Sequence, residues 1–222
     1  MVKSVILLSG GLDSLVSLGL TREKYNVELA LTFDYGQKAL MSEIEASAKI
    51  CEYYKVRHKI IKLDFLKEIT HTSLCSNKEI PTGENLALGE KSAKSVWVPN
   101  RNGLFLNIAA SFSDSEDYGY IIIGANQEEA STFPDNTKEF IDRTEKEFEY
   151  STRRRPKVLA PLINYTKNDI VKLAVENSIP LKFVKSCYQS GEKHCGKCES
   201  CIRLKNALLY NNCKDMVKEL FE

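Results

Sequence analysis

Two groups of residues carry the chemistry open to this sequence. The first is Ser9-Gly10-Gly11-Leu12-Asp13-Ser14. Paired glycines permit a tight turn and a close approach of backbone to a ligand. If a helix follows, its first amides and the positive end of its dipole hold a phosphate oxyanion, and Ser9 and Ser14 add hydroxyl donors. Asp13 would repel that phosphate, so its place here implies a magnesium ion bridging carboxylate and phosphate. The hexapeptide is neither the Gly-x-x-x-x-Gly-Lys-Ser/Thr loop nor the Gly-x-Gly-x-x-Gly of dinucleotide folds. A plain turn with a plain cap accounts for the glycine pair alone, but poorly for the whole hexapeptide. The second group is Cys187, Cys195, Cys198 and Cys201. Four thiolates close a tetrahedral zinc site and leave no open position, which makes the metal structural rather than catalytic. Gly196 permits the knuckle turn, and Lys193, Lys197 and Arg203 are expected to offset the thiolate charge. An iron–sulfur cluster is the alternative occupant. His194 is an alternative ligand, and Cys51, Cys75 and Cys213 read as ordinary thiols.

The elements that position these groups alternate between strand and helix. Lys3–Ser9 is an apolar, partly β-branched run that ends at the glycines, and Leu12 to about Tyr25 reads as a helix. Val27–Asp34 reads as a second strand, and Ser42-x-x-Glu45 as a capping box for a helix through about Tyr54. Val56–Leu63 reads as a third strand. Residues 71–96 are polar and unassigned, with a turn at Pro81-Thr82-Gly83. A helix is predicted over Asn102–Ser113, strands over Tyr118–Gly124 and Lys157–Leu159, and a helix capped by Thr166-x-x-Asp169 through about Glu176. Such alternation predicts a doubly wound α/β fold with a mainly parallel sheet and ligands beyond the carboxyl ends of its strands. Periodicity gives way to the cysteines near Ser186, so the expected division is a nucleotide-binding domain over 1–185 and a small helical zinc-binding segment over 186–222.

Composition narrows the function. The 222 residues carry 31 Lys+Arg and 30 Asp+Glu, a net charge of +1, without the basic excess of a protein that grips a nucleic-acid backbone. No stretch approaches 18 apolar residues, so no membrane span is expected. The opening apolar run is too short for a signal-peptide core, and clustered cysteines without export signals fit metal chemistry in the cytoplasm.

Ser-Gly-Gly-x-Asp-Ser resembles the PP-loop of the ATP pyrophosphatases, which adenylate an oxygen atom and release pyrophosphate. That resemblance implies a sheet of order 3-2-1-4-5 and an ATP site made of Leu8, Ser9, Gly10, Gly11, Leu12, Asp13, Ser14 and Phe33. Phe33 reads equally well as core. Lys167 resembles a lysine that meets the phosphates in several members, though a solvated lysine in a first turn has the same sequence. Together with the cysteine spacing, Asp34-Tyr35-Gly36-Gln37, Val98-Pro99-Asn100-Arg101-Asn102, the strand ending at Gly124 and Cys187-Tyr188, the chain resembles the QueC family along nearly its whole length. The resemblance implies a homodimer with structural Zn2+ and with Mg2+ accompanying ATP. It also implies conversion of 7-carboxy-7-deazaguanine, ammonia and ATP into a nitrile through two adenylations.

In that reading Asp13, Arg101 and Lys167 are catalytic. Arg101, Asn102 and Asp135 bind the substrate, with Arg101 on its carboxylate or the activated phosphate and Asp135 on its guanine-like edge. Trp97 is a candidate for stacking on a purine. The chain departs from many members in having Asp135-Asn136-Thr137-Lys138 where they read Asp-Cys-Arg-Pro, and Lys38-Ala39 where they read Arg-His. Both departures leave the identity of the substrate open, and Arg153-Arg154-Arg155 is a candidate compensating anion patch. A tRNA-modifying PP-loop ligase or thiolase is the competing enzyme, yet the chain lacks the length and charge of a large RNA-binding appendage. A non-catalytic zinc-ribbon module would leave Ser9–Ser14 unexplained.

Overall fold

The computed structural model describes residues 2–83 and 95–222; the part of the unassigned polar stretch numbered 84–94 lies outside the described residues. Five strands, β1 (Ser4–Leu7), β2 (Val27–Asp34), β3 (Arg57–Lys62), β4 (Tyr120–Ile122) and β5 (Lys157–Leu159), form one sheet in the order β3-β2-β1-β4-β5. All neighbours run parallel, as the doubly wound expectation requires. Side chains alternate across β1: Ile6 and Leu8 enter one apolar cluster, Val5 and Leu7 the other. The strand order reverses between β1 and β4, so the turns that leave these two strands flank a crevice at their carboxyl ends.

The first face is covered by α1 (Leu12–Thr21), α2 (Leu40–Tyr54), α7 (Lys167–Glu176), α8 (Glu199–Tyr210) and α9 (Lys214–Leu220). The second is covered by α3 (Asp64–Ile69), α4 (Arg101–Glu116) and α6 (Lys138–Ser151), while the short α5 (Gln127–Ala130) follows β4. Cys187, Cys198, Cys201, Leu204 and Leu208 belong to the same apolar cluster as Leu12, Leu15 and Val16; α8 packs on α7, which in turn packs on α1.

The predicted elements are present, most with shifted ends: β1, α1, β3 and β4 are shorter than expected, and α4 runs longer, from Arg101 to Glu116. β2 and β5 match their expected spans, and α1 stops at Thr21 rather than Tyr25. Thr166 and Asp169 form the expected reciprocal cap of α7. The Ser42-x-x-Glu45 box is corrected: α2 already begins at Leu40, its N-cap Ala39 supplies no side-chain bond, and the Ser42 hydroxyl instead accepts a long bond from the Gly191 amide at 3.4 Å. A helix begins where the chain turns, and here the turn is made upstream, where Gln37 folds back on β2. Helices α3, α5 and α6 are not predicted from the sequence. Thr137 caps α6 by accepting from the Phe140 amide at 3.1 Å.

Gly10 sits at φ +74°, and a Cβ there would lie 2.8 Å from the Cβ of Ala46 on α2. Gly10→Ala is therefore expected to cost about 1–3 kcal/mol through backbone strain and a clash with α2. A urea melt checks this, and an unchanged midpoint would show that the loop tolerates a side chain.

Candidate functional site

The turn after β1 delivers Gly11 as the N-cap of α1, with no side chain capping the first-turn amides. Those amides remain available for an anion. Ser9 and Ser14 brace the turn from within: their hydroxyl oxygens are 3.3 Å apart, and Ser14 Oγ donates to the Gly11 carbonyl at 3.1 Å. On the opposite lip, a Cβ on Gly124 would lie 2.8 Å from the Ser14 amide. A glycine at the end of β4 is what lets the two loops of the switch point touch.

A cavity of about 280 Å3 opens here, lined by Leu8, Ser9, Gly11, Leu12, Asp13, Ser14, Phe33, Arg101, Asn102, Asp135 and Lys167 among others. Residues far apart in sequence and expected to share a site are thus brought together. Gly10 is the exception among the expected ATP contacts. It makes room for α2 instead of facing the cavity, while its carbonyl accepts from the Lys185 amide at 2.8 Å. Phe33 satisfies both of its readings: it is 5% exposed, stacks on Phe105 with ring centroids 3.8 Å apart, and presents an edge to the cavity.

Lys167, the first residue of α7, reaches across to the glycine loop. Its ammonium lies 2.5 Å from Asp13 Oδ2 and 3.0 Å from Glu129 Oε1. Burial alone would depress the lysine pKa, but the two carboxylates outweigh it and push the group up. Burial drives Asp13 upward against the pull of Lys167, whereas for Glu129 the lysine overcomes burial and holds the group down. Asp13 Oδ1 is buried and has no hydrogen-bond partner among the described residues. An orphaned carboxylate oxygen next to a second carboxylate is a hard-donor set suited to Mg2+, so the residues fit that ion.

Arg101 opens α4 because Asn100 adopts the left-handed conformation, φ +51°, and turns the chain into the helix. Tyr35, Asp135 and Glu129 keep its guanidinium charged despite burial. Nε donates to Asn102 Oδ1 at 3.3 Å, and Asn102 Nδ2 donates to the Asp135 carbonyl at 3.2 Å. Burial raises the Asp135 carboxyl, with Arg101 opposing, and Asn136 Nδ2 donates to it at 3.1 Å. Trp97 stacks on Phe133, centroids 6.0 Å apart, and lines the same cavity.

Several lining residues were not singled out from the sequence: Glu43, Glu129, Lys185 and Glu199. Glu129 had a readable signal, because Asn126-x-x-Glu129 after a strand end is cap spacing, and Asn126 Oδ1 does accept from the Glu129 amide at 3.0 Å. Arg203 is corrected. It faces the cavity and pairs with Glu199 at 2.6 Å and Glu128 at 3.6 Å, so it does not serve as a counter-charge for the thiolates. Arg153–Arg155 precede β5, at the opposite end of the sheet. There Arg154 pairs with Asp117 at 2.9 Å, and none of the three lines the cavity.

The sulfurs of Cys187, Cys195, Cys198 and Cys201 all lie within 4.8 Å of one another, with Cys195 and Cys201 at 3.8 Å. A tetrahedron with Zn–S bonds of about 2.3 Å needs a sulfur spacing of about 3.8 Å, so the residues fit a metal. Gln189 and Lys197 donate backbone N–H to Cys187 and Cys195 at 3.4 and 3.5 Å, and Gly196 turns the knuckle at φ +68°. His194 is not a fifth ligand: its Nε2 accepts from the Ser186 amide at 3.0 Å, and Nδ1 meets the Leu220 carbonyl at 3.0 Å.

A parallel sheet of this order, with Ser-Gly-Gly-x-Asp-Ser at its switch point, defines an ATP pyrophosphatase of the PP-loop class. Comparison with solved structures agrees on the fold. The chain is similar to a U34-tRNA thiolase, NcsA, from Methanococcus maripaludis, solved with its [4Fe-4S] cluster, at TM-score 0.50 and 20% identity over 98% of this chain and 66% of that one. Residues 3–212 match the family described as queuosine biosynthesis protein QueC. Curated relatives named 7-cyano-7-deazaguanine synthase include one from Methanosarcina mazei, 48% identical over 98% of both chains. Another, from Carboxydothermus hydrogenoformans, is 49% identical over 93% of this chain and 98% of its own. The chain belongs to the QueC family.

Proposed function

We propose that this chain is an ATP-dependent carbon–nitrogen ligase that converts 7-carboxy-7-deazaguanine and ammonia into 7-cyano-7-deazaguanine, a precursor of queuosine and archaeosine. The observation that supports it best is one cavity holding the glycine loop, the Asp13–Lys167–Glu129 cluster and the Arg101–Asn102–Asp135 wall, in a chain nearly half identical to named synthases. A carboxylate is a poor electrophile because its leaving group is oxide. Adenylation supplies a good leaving group, ammonia then gives the amide, and a second adenylation of the amide oxygen lets the nitrile form. Both adenylations have the same needs, so one phosphate cradle serves them, and catalysis is mainly positioning and neutralisation of charge.

In this reading the loop amides, Ser9 and Ser14 hold the phosphates, and Lys167 exchanges carboxylate for phosphate contacts when ATP enters. Arg101 grips the substrate carboxylate through its fork of donors, and Asp135 accepts from the base. Asp13 and Glu129 would hold Mg2+, which neutralises phosphate charge when bound. The four cysteines would hold Zn2+, whose role is to fix the 186–222 segment, which packs on α7. We propose further a cytoplasmic homodimer without a stable nucleic-acid partner. The described residues contain no helix long and apolar enough to cross a membrane.

Incubation with ATP, ammonia and 7-carboxy-7-deazaguanine, followed by mass spectrometry, is expected to yield the amide and then the nitrile. Folded, metal-loaded protein that forms neither would reject the assignment. A colourless preparation containing zinc supports the metal proposal, and a brown one would replace it with an iron–sulfur cluster.

A further inference from the structure

We propose that Glu43 is where ammonia enters the reaction: its carboxylate binds the ammonium ion and removes one proton from it. The inference rests on the ligase function proposed above.

Five acidic side chains line the cavity. Asp13 and Glu129 are paired with Lys167, and Glu199 with Arg203. Asp135 belongs to the wall beside Asn102. Glu43 has no ion pair among the described residues, and only a neutral amide holds it: Gln37 Nε2 donates to Glu43 Oε2 at 2.7 Å. That amide cannot turn over. Its nitrogen also donates to the Phe33 carbonyl at 2.9 Å, and its oxygen accepts from the Tyr35 amide at 3.0 Å. Oε2 is thus held as an acceptor, while Oε1 has no hydrogen-bond partner among the described residues and is the oxygen open to a proton. Glu43 stands in the first turn of α2, against the glycine loop; its carbonyl lies 3.1 Å from the place of a Cβ on Gly10. Arg101 lines the same cavity and acts on it electrostatically. One oxygen is therefore open in the cavity that holds the glycine loop and the arginine proposed to hold the acyl group.

The chemistry requires such a group. Near neutral pH ammonia is present mostly as ammonium, which has no lone pair to attack with. Burial of the Glu43 carboxyl disfavours its charged form and so favours transfer of a proton to it. Burial already pushes the Glu43 carboxyl above the ordinary glutamate range, with the Gln37 amide and Arg101 opposing. In the step, one N–H bond breaks, an O–H bond forms at Oε1, and the electron pair remains on nitrogen as the nucleophile. Ammonia then adds to the acyl-adenylate carbon, AMP departs with the oxygen it activated, and the second proton passes from nitrogen to solvent.

The test is Glu43→Gln, whose amide oxygen still accepts from Gln37. Acid-dependent ATP–pyrophosphate exchange without ammonium salts reads adenylation alone, and is expected to stay within about twofold of the natural protein. The KM for ammonium is expected to rise at least about tenfold, with partial recovery in Glu43→Asp. An unchanged ammonium KM, or loss of exchange in a folded variant, would overturn the inference. If the unmodified protein shows no exchange, the proposed function itself fails and this inference fails with it.

Discussion

Asp13→Ala is expected to abolish turnover, a loss of at least about 10²–10³-fold, while the protein stays folded. Asp13 lies at the entrance to α1, with Lys167 on one carboxylate oxygen and no hydrogen-bond partner on the other among the described residues. Removing it takes away the group proposed to hold the metal beside the phosphates. Lys167 keeps Glu129 at 3.0 Å, so no buried charge is stranded, and the loss of stability should be only about 1–2 kcal/mol. Steady-state AMP release and a thermal melt, measured together, separate the two effects. Turnover like that of the natural protein would remove Asp13 from the mechanism, and loss of the fold would make the loop architectural.

Cys198→Ser is expected to release the metal and destabilise the chain. Cys198 is fully buried, precedes the first residue of α8 as its N-cap, and bridges to Thr82 across the fold. Binding of a structural metal is folding free energy. Loss of one of four ligands should therefore cost several kcal/mol, about 10 °C or more in Tm for a chain of this size. The consequence reaches the catalytic cavity, because α8 carries Glu199 and Arg203 into its wall. Metal content after dialysis and differential scanning calorimetry check this. A stable variant that retains a full equivalent of metal would count against the four-cysteine site.

The local codes in this sequence act over a few residues, and these were readable. A β-branched run ending in Gly-Gly before a helix specified β1, the loop and α1 at once. Thr166-x-x-Asp169 specified the start of α7, because a capping box closes within four residues. The cysteine spacing held the cluster of four sulfurs, since a knuckle is built by adjacent turns. The Ser42-x-x-Glu45 pattern has the same local form and misled, because the Gln37 side chain, clamped to β2, decides where α2 begins.

Only the tertiary structure decided which charges share a space. Asp13, Glu129 and Lys167 come from three separate segments and meet because β1 and β4 are neighbours at the switch point while α7 packs against α1. Arg203, only two residues beyond Cys201 on α8, faces the carboxylates instead. Glu43 looks like any surface glutamate on an amphipathic helix until the clamp at Gln37 aims it inward. Sequence specifies backbone conformation through steric and capping rules that act within a turn or two. Side-chain electrostatics depend on distances between elements, and these are set by how the helices pack on the sheet.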